Sequence, residues 1–444
     1  MSISNLAIIK GFYFLNPHIK LIYLCALITM EEINIFTLDN GIRVIHKEVT
    51  STKILHCGII LDIGSRDELP DQFGIAHFWE HMAFKGTTRR KAYHIINSLD
   101  SVGGELNAYT TKEKVCFYAS VLDSFDDKAV ELLTDITFNA TFPEKQLDKE
   151  RNVILEEMAM YLDTPEDSIQ DELDEIVFKD HAMAHNILGT SENVKTFHKK
   201  DFTQFIDGNL NTERIVVAFV GNLPLKRVKK LANKHLAPIP KQSSKQSRAP
   251  FNHYSPNHIT QNKDIIQAHF TMGKPTFPIS HSKRIPFAML VNLLGGPGMN
   301  TRLNLALRER LGYVYNIDAQ YLAYTNTGLL SILFGTEQKN LKRSINVVHR
   351  EIKRLKEVKL GKVQLHSLKE QMMGHLAMSA ENNVGVMLTL GKNLLDLDRV
   401  SSIDEIFKEL QQVTAEELIE LANQEFDLDA MTTLTYLPKK NGVY

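Results

Sequence analysis

The chain has 444 residues, 43% hydrophobic and 23% charged, the balance of a folded globular protein and not of a disordered, collagen-like or coiled-coil chain. Lys+Arg 51 against Asp+Glu 53 leaves a formal net charge of -2, with no global pull toward nucleic acid or an anionic membrane. The 3 cysteines (Cys25, Cys57 and Cys116) form no CxxC pair, which argues against a disulfide framework and points to a reducing, cytoplasmic setting. At about 100–200 residues per domain, the length suggests two to four domains.

The longest apolar run, residues 21–28, falls short of the roughly 20 residues a membrane span needs. Lys10 and Lys20 flank it as in an export signal, but no A-x-A-like site follows. Met30-Glu31-Glu32 reads as a natural start before a strand. Residues 1–29 are therefore an overlong start, an appended segment or a leader, and stand outside the fold argument.

Residues 33–36 and 42–46 are apolar and β-branched around Asp39-Asn40-Gly41, which predicts a hairpin. Residues 53–63 are a further strand. Helices are expected over 74–85 and 92–102, then a strand over 115–122. Three helices near 124–139, 143–162 and 165–178 follow, then a buried strand over 214–220. The polar, Ser- and Pro-rich stretch 240–256 is the linker candidate, separating a first domain, 31–239, from a second, 257–440.

The halves resemble each other. QLDKERNVILEEMAMYLDTPED opens at Gln146 and QLHSLKEQMMGHLAMSAENNVG at Gln364, an offset of 364 − 146 = 218. Near the same offset RIVVAFVGNL meets MTTLTYLPKK. The expected fold class is α+β, two duplicated domains each with a sheet packed by helices. Two unrelated α+β domains are the alternative.

His77-Phe78-Trp79-Glu80-His81 carries the chemistry. On a helix, residues i and i+4 share a face, so His77 and His81 offer two imidazoles to one metal ion, with Glu80 at the edge of that face. That is the place of a general base, and H-x-x-E-H inverts the familiar H-E-x-x-H. The plainer reading is a helix of solvated or core histidines. A catalytic zinc takes a third protein ligand, often a carboxylate from another element. The 143–162 helix offers Glu150, Glu156 and Glu157. Glu157 flanks an apolar stripe of Leu147, Val153, Ile154, Met158 and Tyr161; Glu150 lies two turns back on nearly the same face, and Glu156 reads as solvated.

HFWEHMAFKGT, GGELNAYTT and ERNVILEEMAMYLDTPED together resemble the M16 metallopeptidases, the insulinase, pitrilysin and processing-peptidase group, or inverzincins. The resemblance spans roughly residues 31–440. It implies one Zn2+ per chain held by His77, His81 and Glu157, with Glu80 as general base on a zinc-bound water and Glu150 as auxiliary carboxylate. It also implies that Asn107, Ala108 and Tyr109 pair with the backbone of an extended substrate. In the second half, LLGGPGMNTRLNLALRERLGYVYNI resembles the family's substrate-binding segment, which assigns Arg308 and Tyr315, with Tyr313 a competing tyrosine. Gly295, Gly296 and Gly298 lack a following G-K-[ST] and read as a turn between helices.

The implied activity is a zinc-dependent endopeptidase or oligopeptidase. Its substrate would be a peptide or unfolded polypeptide enclosed between two domains facing each other as a clamshell, with no nucleic acid and no membrane span. Both motifs on one chain imply a self-sufficient protein, a homodimer or a heterodimer with a related subunit. A non-catalytic assembly subunit of the same family is the alternative function. The isolated segment 31–240 is expected to bind zinc but to hydrolyse peptides poorly.

Overall fold

A computed structural model describes residues 33–244 and 247–439. The apolar run at 21–28, the start at Met30 and Cys25 lie outside the described residues. In the first half, strands β1 (Ile33–Thr37), β2 (Arg43–Glu48), β3 (Ile54–Leu61), β4 (Glu105–Thr110), β5 (Val115–Leu122) and β6 (Ile215–Gly221) make one sheet in the order β1-β2-β6-β3-β5-β4. Only β2 and β6 run parallel; the other neighbours are antiparallel. β6 is buried at every position, which explains its continuous apolar run. The helices are α1 (Ile75–Ala83), α2 (Ala92–Asp100), α3 (Asp126–Phe138), α4 (Glu144–Leu162), α5 (Pro165–Val177), α6 (Ser191–Thr196), α7 (Lys199–Asn209) and α8 (Leu225–Leu231).

The second half repeats the plan. Strands β7 (His258–Lys263), β8 (Ala268–Thr276), β9 (Val314–Ala323), β10 (Gly328–Thr336) and β11 (Thr432–Pro438) form a sheet in the order β7-β11-β8-β10-β9. With β1 removed, the first sheet has the same order, and its parallel β2–β6 pair is matched by the parallel β7–β11 pair. The helices are α9 (Arg284–Gly295), α10 (Leu341–Glu357), α11 (Lys362–Ala380), α12 (Asn383–Leu397), α13 (Ile403–Gln412) and α14 (Ala415–Glu425). α4 and α11 begin 362 − 144 = 218 residues apart, and α5 and α12 begin 383 − 165 = 218 apart, the offset seen in the sequence. The chain is thus two duplicated α+β domains, as expected.

Each sheet has two apolar faces, and its own half covers only one. In the first half Trp79, Phe78, Leu132, Ile136, Phe202 and Phe205 pack on Ile59, Leu61, Phe117 and Phe219. The other face presents Ile45, Ile60, Cys116, Val216, Ala218 and Val220, and these are covered by Val386, Met387, Leu390 and Leu394 of α12 from the second half. The exchange is reciprocal. Ile169 of α5 packs on Leu434 and Tyr436, and Leu173 and Val177 pack on Leu329 in the second sheet. The halves therefore face each other and interlock.

Charged groups reinforce the joint. Arg248, in the segment between the sheets, donates to Asp62 at 2.9 Å and Asp67 at 2.6 Å. Arg66 donates to Glu113 at 2.6 Å, and Glu113 accepts the Thr325 N–H of the second half at 3.0 Å. Lys114 reaches Asp396 at 2.6 Å. No helix among the described residues is long and apolar enough to cross a membrane.

Candidate active site

α1 buries Ile75, Ala76, Phe78, Trp79, Met82 and Ala83 in the first core. The i,i+4 spacing turns His77 and His81 together toward α4, their rings edge-to-face at 4.6 Å. His77 Nε2 lies 3.7 Å from Glu157 Oε1, and His81 Nε2 lies 3.7 Å from Glu157 Oε2. Ligand atoms of His77, His81 and Glu157 all fall within 4.8 Å of one another. His81 Nδ1 donates to Glu150 Oε1 at 3.0 Å, which leaves Nε2 free to act as a ligand. Glu150 is held in turn by Lys85 at 2.7 Å. Glu80 stands beside the cage and accepts the Thr110 hydroxyl at 2.6 Å.

The electrostatics describe a cluster short of positive charge. Burial pushes the Glu157 carboxyl up to about 7; Glu80 and Glu150 add to this and His81 opposes it. Burial also raises Glu80, against the pull of His81 and the Thr110 hydrogen bond. His77 is lowered by burial and by its neighbour His81. His81 is raised: burial opposes its charge, but Glu150, Glu80 and Glu157 outweigh it. Glu157 Oε2 and His77 Nδ1 are buried without a hydrogen-bond partner, a costly state. Two imidazole nitrogens, a carboxylate and an orphaned oxygen fit a dipositive ion, and three protein ligands of these types are the donor set of a catalytic zinc.

The structure thus gathers His77, Glu80, His81, Glu150 and Glu157. Thr110 and Lys85 belong with them and were not singled out from sequence. Thr110 ends the GGELNAYTT strand, and Lys85 lies one helical turn past His81, the signal by which it was findable. Glu156 is exposed, as expected. Val153 is not in the buried stripe; it is 44% exposed. The buried line of α4 runs through Leu147, Glu150 and Ile154, at i, i+3 and i+7, and Val153 falls off it.

Asn107, Ala108 and Tyr109 lie on β4, an edge strand with no partner beyond it among the described residues. Ala108 and Tyr109 are buried, Tyr109 under the Lys392 ammonium at 4.7 Å, so the open feature of this strand is its backbone edge. Arg308 lies in a π-helical turn, Asn304–Glu309, and its guanidinium sits 5.8 Å from the ring centre of Tyr315. Tyr315 is 88% exposed at the start of β9, the second sheet's edge, while Tyr313 packs against the second core. The glycine-rich run leads out of α9 into this turn.

A duplicated α+β fold with this donor set, present among the described residues in the first half alone, is that of a zinc protease. The chain belongs to the M16 peptidase family. The description "Insulinase (Peptidase family M16)" matches residues 43–191, and "Peptidase M16 inactive domain" matches residues 196–372. The chain is 33% identical over 397 residues to an uncharacterized zinc protease, YmxG, of Bacillus subtilis, covering 89% of this chain and 96% of that one. It is 31% identical over 404 residues to an uncharacterized zinc protease of Rickettsia bellii, covering 91% and 97%. In fold it is similar to a Pseudomonas fluorescens structure described as a peptidase M16 inactive domain, with TM-score 0.85 at 17% identity, covering 92% of this chain and 98% of that one. A Helicobacter pylori protease gives TM-score 0.84 at 19% identity, covering 92% and 100%.

Proposed function

We propose that this chain is a zinc-dependent endopeptidase or oligopeptidase that cleaves extended peptides or unfolded polypeptide held between its halves. The observation that carries the reading is the convergence of His77, His81 and Glu157 ligand atoms within 4.8 Å. One Zn2+ per chain in this cage would act as a Lewis acid, making water acidic and polarising the scissile carbonyl. Glu80, its carboxyl raised by burial and aimed by Thr110, takes the proton of the attacking water and hands it to the leaving amine. Glu150 holds His81 in the tautomer whose Nε2 is a ligand. The substrate backbone adds a strand to β4 at Asn107, Ala108 and Tyr109. Arg308 and Tyr315 donate to the oxyanion that develops.

Enclosure between the two halves would favour short or unfolded substrates over folded domains. Cys57 and Cys116 are free and buried, which suits work in the reducing cytoplasm. The test is digestion of a peptide library with and without a chelator. Chelation should abolish cleavage and added zinc should restore it. Undiminished cleavage by metal-free protein would sink the reading.

A further inference from the structure

The helix that presents His77, Glu80 and His81 starts without a cap of its own. Its N-cap is Gly74, at φ 99, which has no side chain to satisfy the first amides of α1. A carboxylate from elsewhere does so. Gly74 N–H donates to Glu68 Oε2 at 2.9 Å and Ala76 N–H to Glu68 Oε1 at 2.8 Å. Glu68 follows the 3-10 turn Ser65–Asp67, and its side chain is 0% exposed. His185 closes the far side, its Nε2 3.3 Å from Glu68 Oε2 and 2.7 Å from Ser65 O, with its ring stacked on Phe73 at 3.9 Å. The 185–189 loop is pressed so close that a Cβ on Gly74 would meet Leu188 O at 2.5 Å.

The two histidines are steadied differently. His81 is held through its own ring by Glu150. The His77 ring has no hydrogen bond on Nδ1, so its aim depends on the helix backbone beneath it. That backbone is the first turn of a helix of 9 residues, and the amide of Ala76, one position before His77, is the one Glu68 grips. A helix N-terminus also carries partial positive charge that a carboxylate neutralises.

We propose that Glu68 is a positioning residue of the metal site: its two-pronged cap sets the rotation and rise of the first turn of α1 and thereby the direction of His77 Nε2. The proposal rests on the metal-site reading above. Outer groups hydrogen-bonded to a ligand itself are worth roughly 10–100-fold in metal affinity, and Glu68 acts one step further back, through the backbone, so its effect lies at or below the low end.

The test uses the full chain with Glu68→Gln. Gln keeps the size but sets an NH2 donor against an amide donor. Zinc affinity, read by competition with a chromophoric chelator, should fall by up to about 10-fold. In metal-free protein the Gly74 and Ala76 amides should exchange faster, and emission from Trp79, the 1 tryptophan of the chain, should shift. Turnover should fall with KM little changed. A folded Glu68→Gln protein with parental zinc affinity overturns the proposal, even if it melts earlier. If Glu68→Gln does not fold, Glu68→Asp decides: it keeps the charge and draws the oxygens back by about a bond length. Weakened zinc binding supports the role and parental binding overturns it. Zinc affinity and amide exchange are read without peptide. A parent chain that binds zinc but cleaves nothing would therefore end the peptidase reading and leave this one standing.

Discussion

Glu80 and Glu157 occupy one cage and face different partners. Glu80 accepts the Thr110 hydroxyl at 2.6 Å. Glu157 faces the Nε2 atoms of both histidines, each at 3.7 Å, and its Oε2 accepts no hydrogen bond. On the proposed roles, an amide in place of Glu80 removes the proton acceptor and spares the ligands. Glu80→Gln should therefore retain zinc and lose about 10²–10⁴-fold in rate, the usual worth of a general base. An amide in place of Glu157 removes the one anionic ligand, so Glu157→Gln should lose zinc itself. Metal content and turnover measured on the same two preparations separate the roles. Loss of zinc from Glu80→Gln, with full activity in Glu157→Gln, would reverse the assignment.

Among the elements, α12 decides how the first sheet is finished. It reaches the sheet closely at Gly391, where a Cβ would stand 2.5 Å from Ile60 Cδ1 and 3.6 Å from Ala218 Cβ. Glycine within a helix ordinarily costs about 1 kcal/mol against alanine, and valine recovers only part of that. Overpacking a close-fitted core costs about 1–3 kcal/mol, which is the larger effect. Gly391→Val should therefore lower the denaturant midpoint, because α12 can no longer seat on Ile60 and Ala218. A midpoint at or above the parent's would show that the contact has room to give.

For the molecule as a whole, the exchange of α5 and α12 changes what a fragment can do. Residues 31–240 alone would expose the face made by Ile45, Ile60, Val216, Ala218 and Val220, and would leave Ile169 and Leu173 of α5 with no sheet to cover. Apolar surface of that extent drives association. The simple expectation of a zinc-binding first half therefore gives way to a different one. The fragment alone should aggregate, and co-expression with residues 257–439 should return a zinc-binding complex. Sedimentation and metal content check this, and a monomeric, zinc-loaded 31–240 fragment would refute the interlock. The Glu113 and Lys114 pairs across the joint add to the same cohesion.

Local periodicity was enough to place the first hairpin, the strands at 53–63, 115–122 and 214–220, the helices between 74 and 178, the shared face of His77 and His81, and the repeat at 218 residues. Those features depend on spacing within a single element, which the order of residues determines directly. Periodicity also shows that a face will be buried, but not what will bury it. Hence α5 was legible as a helix, while the exchange of α5 and α12 between the halves was not. The same limit applied at the site. Glu150 and Glu157 both suited a metal by spacing, and only the packing of α4 on α1 set Glu157 against the Nε2 atoms and Glu150 against Nδ1. Of the two rival tyrosines, Tyr313 packs against the second core and Tyr315 stands beside Arg308, a difference that only the tertiary structure shows. Thr110 meets Glu80 across 30 residues, and Lys85 meets Glu150 across 150 − 85 = 65. Such pairings have no period: the spacing of Lys85 from His81 marks the residue but not its partner, and the contacts exist only once the chain has closed.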